Sequence, residues 1–465
     1  MTRRGFLLAY AAASASLLLG CGRLPFGRRR PNLILIVSDT LRADHLGCYG
    51  SQLSLTPNMD KLAHRGVLLE NLLSCAPVTG AAHASLMTGT YQTRHNIFGQ
   101  GGVINTSLRT LAEMCRTEGM RTGAFVSNPA LLPTWLVGID RGFDSYDAKL
   151  PAMEQGRASS YRAAPATTAQ AIAWLRQQKD RQFFLWAHLQ EPHGPYDVVD
   201  EATLKRIGRL TRPGEPASLP ALPVDAGTGG IPLYQALGEE RNPAVYRSRY
   251  AARAAYADTY VGQLLTEVAR LGLDDDTYVV LTSDHGELLG EHDYYFQHGV
   301  TVLQVVLHVP FIVAGPGLTG GRRISTRAGT VDLMPTLLEL LDINGPADQL
   351  QGQRLAPLIR GRVDAEPAPR FAMCDTEREA CVVVGNRKYS MRDSAKGRVG
   401  KLVNLAADPL EEHDLSSQDT ARAADLRGMV ESFIKGSPSP PEAGGQRAQL
   451  SEEDRRRLKA LGYTK

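Results

Sequence analysis

The sequence predicts an α/β fold with a mainly parallel sheet, on two observations. Short runs rich in Val, Ile, Leu and Phe alternate with longer segments of helical pattern up to about Pro346. The runs 33–38 and 278–283 are also nearly unbroken in apolar residues, where a half-exposed strand would alternate. Strands of that kind need helices on both faces, so the alternation implies a sheet sandwiched between helical layers.

In chain order, strands are expected at 33–38, 123–127, 183–188, 278–283 and 310–314. Helices are expected at 107–118, 167–177, 247–271 and 333–341. The stretch 197–242 breaks the rhythm with Pro213, Pro216, Pro220, Pro223, Pro232 and a Gly cluster, and its place after His193 suggests either a substrate-side lid or a plain surface insertion. Residues 437–445, rich in Pro, Ser and Gly, read as a flexible linker. After it, Ser451-Glu452-Glu453-Asp454 resembles a capping box opening a last short helix through Leu461.

Chemistry gathers where two of the apolar runs stop. Asp39 follows the first, and Asp284-His285 follows the run at 278–283. A single strand-end Asp usually caps a turn or helix. Two such sites with an adjoining His point instead to a divalent ion at the sheet edge, where open α/β sheets bind their ligands. Three donors leave a coordination position for an activated hydroxyl or thiol.

Several motifs follow one another in order: Ile36-Val37-Ser38-Asp39-Thr40, Thr56-Pro57-Asn58, Ser85-Leu86-Met87-Thr88-Gly89, Glu191-Pro192-His193-Gly194-Pro195-Tyr196, Ser283-Asp284-His285-Gly286-Glu287 and Asp332-Leu333-Met334-Pro335-Thr336. By that order the chain, from Pro31 to about Gly352, resembles the sulfatase family of the alkaline phosphatase superfamily. It implies an alkaline-phosphatase-like three-layer sandwich over 31–352. Asp408-Pro409-Leu410-Glu411 further resembles the family's small C-terminal α+β subdomain, placed at 353–435 and followed by a linker and helical tail at 436–465.

The nucleophile loop departs from the common form. Family members that mature a Cys or Ser to formylglycine carry Cys/Ser-x-Pro-x-Arg, with the nucleophile nine residues before the Thr of a closing Thr-Gly. Counting back from Thr88 reaches Thr79, with His83 in the place of the motif's Arg. Cys75-Ala76-Pro77 imitates the motif but sits four residues too far from Thr88-Gly89 and has Thr79 where Arg is required. A secondary alcohol cannot become a formylglycine aldehyde, so none is expected and Thr79 itself must attack, its pKa lowered by coordination. The hydroxyl would alternatively serve as a helix N-cap.

By resemblance the metal ligands are Asp39, Thr79, Asp284 and His285, holding one divalent ion among Mn, Zn, Mg and Ca. His193 would protonate the leaving oxygen, with His83 and His298 clamping the other oxygens. His188 is placed lower, as part of a buried strand, although its nearness to His193 permits a second ion. The family's Lys-x-His pair is missing around Asn128, His298 stands where a Lys is common, and Thr40 replaces a second Asp. These changes strip charge from a sulfate cradle. The expectation is therefore a metal-dependent hydrolase of a sulfate or phosphate ester, with a phospho-group transferase or a noncatalytic binding protein as alternatives.

A formal charge of +3, with acids and bases nearly balanced, argues against nucleic acid as a partner, and the resemblance implies a small-molecule, glycan or lipid ester as substrate. Thr2-Arg3-Arg4-Gly5-Phe6-Leu7 resembles a twin-arginine export signal, and Leu18-Leu19-Gly20-Cys21 resembles a lipobox. The expectation is a lipoprotein facing the periplasm or cell exterior, touching the membrane through a lipid on Cys21 at the end of the 1–21 signal and joined to the body by a basic linker at 22–30. Cys374 and Cys381 are near enough in sequence for a hairpin disulfide.

Overall fold

Runs that are apolar on both sides need cover above and below, and the helices of this chain supply it. The computed structural model describes residues 30–152, 160–223, 228–362, 368–374, 379–394, 397–436 and 450–463. The segment expected to be an export signal, Cys21, the linker up to residue 29 and the stretch 437–449 lie outside the described residues. Eight strands form the main sheet: β1 (Asn32–Ser38), β2 (Val67–Leu73), β3 (Arg121–Phe125), β4 (Ser145–Asp147), β5 (Phe183–Leu189), β6 (Thr277–Thr282), β7 (His308–Ala314) and β8 (Arg322–Gly329). Their order is β8-β2-β7-β6-β1-β5-β3-β4. Only β7 runs against its neighbours, so the sheet is mainly parallel.

Strand β1 shows how one sequence serves two cores. Leu33, Leu35 and Val37 face one layer, with Leu86 of α2 (Thr79–Thr88), Leu111 of α3 (Leu111–Thr117) and Leu337 of α6 (Leu333–Leu340). Ile34 and Ile36 face the other, with Met59 of α1 (Pro57–Arg65), Leu175 of α4 (Ala164–Gln178) and Val261 of α5 (Pro243–Arg270). Each such fully buried side chain contributes about 1.5–3 kcal/mol. The three layers meet at the centre of the sheet, where β1 lies between β6 and β5.

Some boundaries differ from the sequence expectation for local reasons. Helix α3 starts at Leu111 because Thr110 closes a capping box with Glu113. Strands β2 and β8 were not anticipated: Glu70 and Asn71 interrupt the first, and Arg322, Arg323 and Arg327 charge the second, which is an edge strand. The insertion at 197–242 is tied down by ion pairs from Arg212 to Glu291 and from Glu215 to Arg247. Its described residues include a short helix (Glu201–Ile207) and a pair of two-residue strands, Ala221–Leu222 beside Ile231–Pro232.

A second sheet follows, β9 (Arg370–Cys374), β10 (Glu379–Val384), β11 (Arg387–Ser394) and β12 (Gly397–Asn404), antiparallel in chain order and covered by α7 (Thr420–Lys435). Buried Lys388 pairs with Glu411 at 2.7 Å, and the same carboxylate accepts the Gln304 amide at 2.5 Å, joining this sheet to the larger domain. Cys374 and Cys381 are free thiols. The register explains why: Cys381 lies opposite Ala372, and Cys374 lies opposite Glu379. Helix α8 (Glu452–Ala460) begins at Ser451, whose hydroxyl accepts the Asp454 amide at 3.1 Å. Among the described residues no helix is long and apolar enough to cross a membrane.

Candidate active site

Parallel pairing of β1 with β6, from Asn32 opposite Thr277 to Val37 opposite Thr282, brings both strand ends to one edge. Asp39 and Asp284-His285 therefore meet although 245 residues separate the strands that carry them. Asp39, Asp284 and His285 are fully buried, and each offers a ligand atom within 4.8 Å of the others. Gly286 lets this turn pack closely, since a Cβ there would lie 2.6 Å from the Val305 carbonyl oxygen.

Each carboxylate has one oxygen engaged and one free. Asn128 Nδ2 donates to Asp39 Oδ2 at 2.7 Å, while Asp39 Oδ1 has no partner. The amides of Thr40 and His285 donate to Asp284 Oδ1 at 3.2 and 2.9 Å, while Asp284 Oδ2 has none. Buried carboxylate oxygens without partners are costly, and a divalent cation satisfies both at once. Burial and the neighbouring Asp284 charge push the Asp39 carboxyl well above its usual range. Burial also opposes the Asp284 charge, but His285, His83 and His188 outweigh it and hold that carboxyl low. The donor set thus fits a cation, which would remove the conflict between two buried anions.

The surrounding backbone is constrained. Thr40 adopts φ 58°, a left-handed conformation that strains a β-branched residue by about 1–3 kcal/mol. Its hydroxyl donates to the Asp39 carbonyl at 2.7 Å, and its own carbonyl accepts Tyr250 at 2.7 Å. The replacement of a second Asp by Thr40 leaves its amide, not its side chain, facing Asp284.

Thr79 is the first residue of α2, a helix whose residues are all buried. Val78 is the N-cap and makes no side-chain cap, so the Thr79 hydroxyl is not spent on the helix end. It lies 3.3 Å from His285 Nε2. His285 Nδ1 donates to the Gly286 carbonyl at 2.9 Å, which leaves Nε2 as the ligand atom. Cys75, by contrast, packs with Tyr91 and Val331, its sulfur accepting from Thr330 at 3.3 Å, and burial pushes its thiol up to about 11.

The other histidines form a floor and a wall. His83 Nδ1 donates to the Thr79 carbonyl at 2.8 Å, and its ring packs on Trp186 and His188. His188, which the sequence placed lower, has Nε2 3.6 Å from Asp39 Oδ2 and neither nitrogen hydrogen-bonded. His83, His188 and Asp284 make a second group of ligand atoms within 4.8 Å. On the wall, His298 Nδ1 donates to Glu287 at 3.0 Å, and Glu287 also accepts Tyr196 at 2.9 Å. The His298 ring lies 4.6 Å from that of His285 and 4.9 Å from that of His193. His193 Nδ1 donates to the Gly194 carbonyl at 2.6 Å, and burial, then His298, hold its pKa well below the usual imidazole value.

Among the described residues, three further groups join the site that the sequence did not single out as site residues, although Glu287 lies inside one of the motifs. Asn128 orients Asp39, Glu287 orients His298, and Tyr463 reaches the site from the far end of the chain, its hydroxyl 2.7 Å from His193 Nε2. Arg42 stiffens the rim, donating to the Glu287 carbonyl at 3.0 Å and to Glu291 at 2.8 Å. Burial alone would raise the Glu291 carboxyl, but Arg42 and Arg212 bring it from 4.5 to about 2. This depressed value makes the interaction worth about 3 kcal/mol above pH 5, lost as pH falls from 4.5 through 2. Urea unfolding at pH 7 and at pH 2 should show that loss in the native sequence, and Glu291→Gln should flatten it while lowering stability at pH 7.

The sulfatase family profile matches residues 31–343. The ulvan-active sulfatase of Formosa agariphila is 26% identical over 385 residues, 76% of this chain and 68% of that protein. Among solved structures, the protein BT4656 bound to its substrate D-glucosamine-2-N,6-O-disulfate superposes with TM-score 0.74 at 18% identity, covering 89% of this chain and 100% of that one. The phosphonate monoester hydrolase of Agrobacterium radiobacter gives TM-score 0.68 at 23% identity, covering 88% and 95%. With its motifs in family order, its three-layer fold and a profile match over most of its length, the chain belongs to the sulfatase family, hydrolases of the alkaline phosphatase superfamily.

Proposed function

We propose that the protein is a metal-dependent esterase that cleaves a sulfate or phosphate-type ester through the Thr79 hydroxyl. One observation carries the reading: that hydroxyl lies 3.3 Å from His285 Nε2, in the ligand group holding two orphaned carboxylate oxygens. Asp39, Asp284, His285 and Thr79 would hold the cation. When bound, it supplies charge that lowers the hydroxyl's pKa and offsets the anionic ester.

The chain's own groups then divide the work. Asn128 and the Thr40 amide keep the two carboxylates turned toward each other. The N-terminus of α2 adds a positive field where the ester anion approaches. Because the Gly194 carbonyl fixes His193 Nδ1, proton exchange at this ring is confined to Nε2, on the leaving-group side. Glu287 holds His298 beside His285, in position to contact an ester oxygen. Attack by Thr79 Oγ1 would break the ester's bond to its leaving oxygen, which departs as an alcohol carrying the proton given up by Thr79, and water would then cleave the Thr79 ester and restore the hydroxyl. Loss of the Lys-x-His pair, together with a fold shared with a phosphonate monoester hydrolase, keeps phosphorus esters in the substrate class beside sulfate.

The test is a matrix of aryl sulfate, phosphate monoester, phosphodiester and phosphonate ester against Mn, Zn, Mg and Ca. Turnover of one ester class with a defined metal requirement is the expected result. A folded protein inert across the matrix would instead mark a binding scaffold.

A further inference from the structure

Among the described residues, the contact least explained by hydrolysis is the one made by their last turn. Helix α8 packs two leucines inward, Leu458 and Leu461, both buried, and Arg457 donates to the Pro151 carbonyl at 2.5 Å. Gly462, at φ 81°, turns the chain beside Tyr234 of the 197–242 insertion, where a Cβ would lie 2.9 Å from that ring. Tyr463 then enters the pocket. Its hydroxyl accepts from Asn128 Nδ2 at 2.7 Å and lies 2.7 Å from His193 Nε2, and Thr79 is a further hydrogen-bonding neighbour.

Of these partners, His193 is the group that an ester's leaving oxygen would meet. His193 Nδ1 is already committed to Gly194, so Nε2 is its only exchangeable site, and the phenol occupies it. An ester cannot place its leaving oxygen there while Tyr463 remains. Attachment of α8 to the rest of the chain runs through 437–449, whose sequence is rich in Pro, Ser and Gly, and its buried contacts rest on a helix of nine residues. A short tethered segment competes at an effective concentration in the millimolar range, enough to screen ligands without excluding them.

We propose that the C-terminal segment is a built-in occupant of the leaving-group pocket, with Tyr463 holding the place of the leaving oxygen until an ester displaces it. The idea rests on the assignment of the Thr79 pocket as the active site. The segment thereby selects for substrates whose leaving group outcompetes a phenol at His193, and it closes the pocket between turnovers.

Two variants of the full chain test it. Tyr463→Ala removes the occupant, and Leu458→Asp loosens α8 without altering any group in the pocket. Inorganic phosphate affinity, measured by calorimetry at fixed metal concentration, should rise about tenfold in both. The KM for the best ester should fall by a similar factor, and phosphate should speed proteolysis between 437 and 449 in the native sequence. Unchanged phosphate affinity in both variants overturns the proposal. So does a Tyr463→Phe variant that loses kcat tenfold at constant KM, which would make the phenol a positioning group. Phosphate binding that survives in a protein inert toward every ester would reject the hydrolytic reading while leaving the occupant testable by affinity alone.

Discussion

Thr79→Ala should lower turnover of the best ester by at least about 10⁴-fold, the scale seen when a nucleophile is removed. Cys75→Ala should leave it nearly intact. The two residues are only four apart, and both match part of a nucleophile motif, so the contrast is informative. Cys75 is buried against Tyr91 and Val331 with its thiol pushed up to about 11, far from the thiolate a nucleophile needs. Thr79 presents a hydroxyl to His285 that no helix cap uses. Thr79→Ser keeps that hydroxyl with more rotational freedom and should retain measurable turnover. Steady-state rates of the three variants at saturating metal decide the matter. Activity lost in Cys75→Ala and kept in Thr79→Ala would move the nucleophile four residues upstream.

Much of this was legible in the chain because its decisive features are local. Apolar runs with an Asp or Asp-His at their ends locate the strands of a parallel sheet and the acidic and imidazole side chains that meet at its edge, and β1 and β6 differ from expectation only by a residue. The expectation that Thr79 attacks rests on counting along the chain, and its hydroxyl lies 3.3 Å from His285 Nε2. The remainder depends on contacts that no short window contains. Edge strand β8 is too charged to read as a strand, and β7 reverses direction without any mark in its own residues. Asn128 ends a stretch that reads only as lacking a Lys-x-His pair, yet it orients Asp39. Tyr463 lies 335 residues from Asn128 in sequence and meets it at 2.7 Å. His188 looked like one more residue of a buried strand because its period matches the core. Its two unpartnered nitrogens become visible only once β5 is seen beside β1.

Asp39→Asn should remove most of the stabilisation expected from a divalent ion, and with it most activity. In the metal-free state Asp39 and Asp284 oppose each other in a buried pocket, each with an unpartnered oxygen. Replacing one carboxylate by an amide removes that repulsion, and the amide oxygen can still accept from Asn128. The variant should therefore melt at or above the temperature of the metal-free native protein. Adding the preferred ion at about 100 times its Kd should stabilise the native protein by about 3 kcal/mol, a rise of several degrees. The variant, with one anionic ligand fewer, should respond by less than about a third of that. Turnover should fall at least about 10³-fold, because the Thr79 hydroxyl then loses the charge that activates it. Calorimetric melting of both proteins with and without the ion separates this from a simple folding defect. A variant that gains as much from the ion as the native protein would show that the cation is held elsewhere, and His83, His188 and Asp284 would be the next ligands to replace.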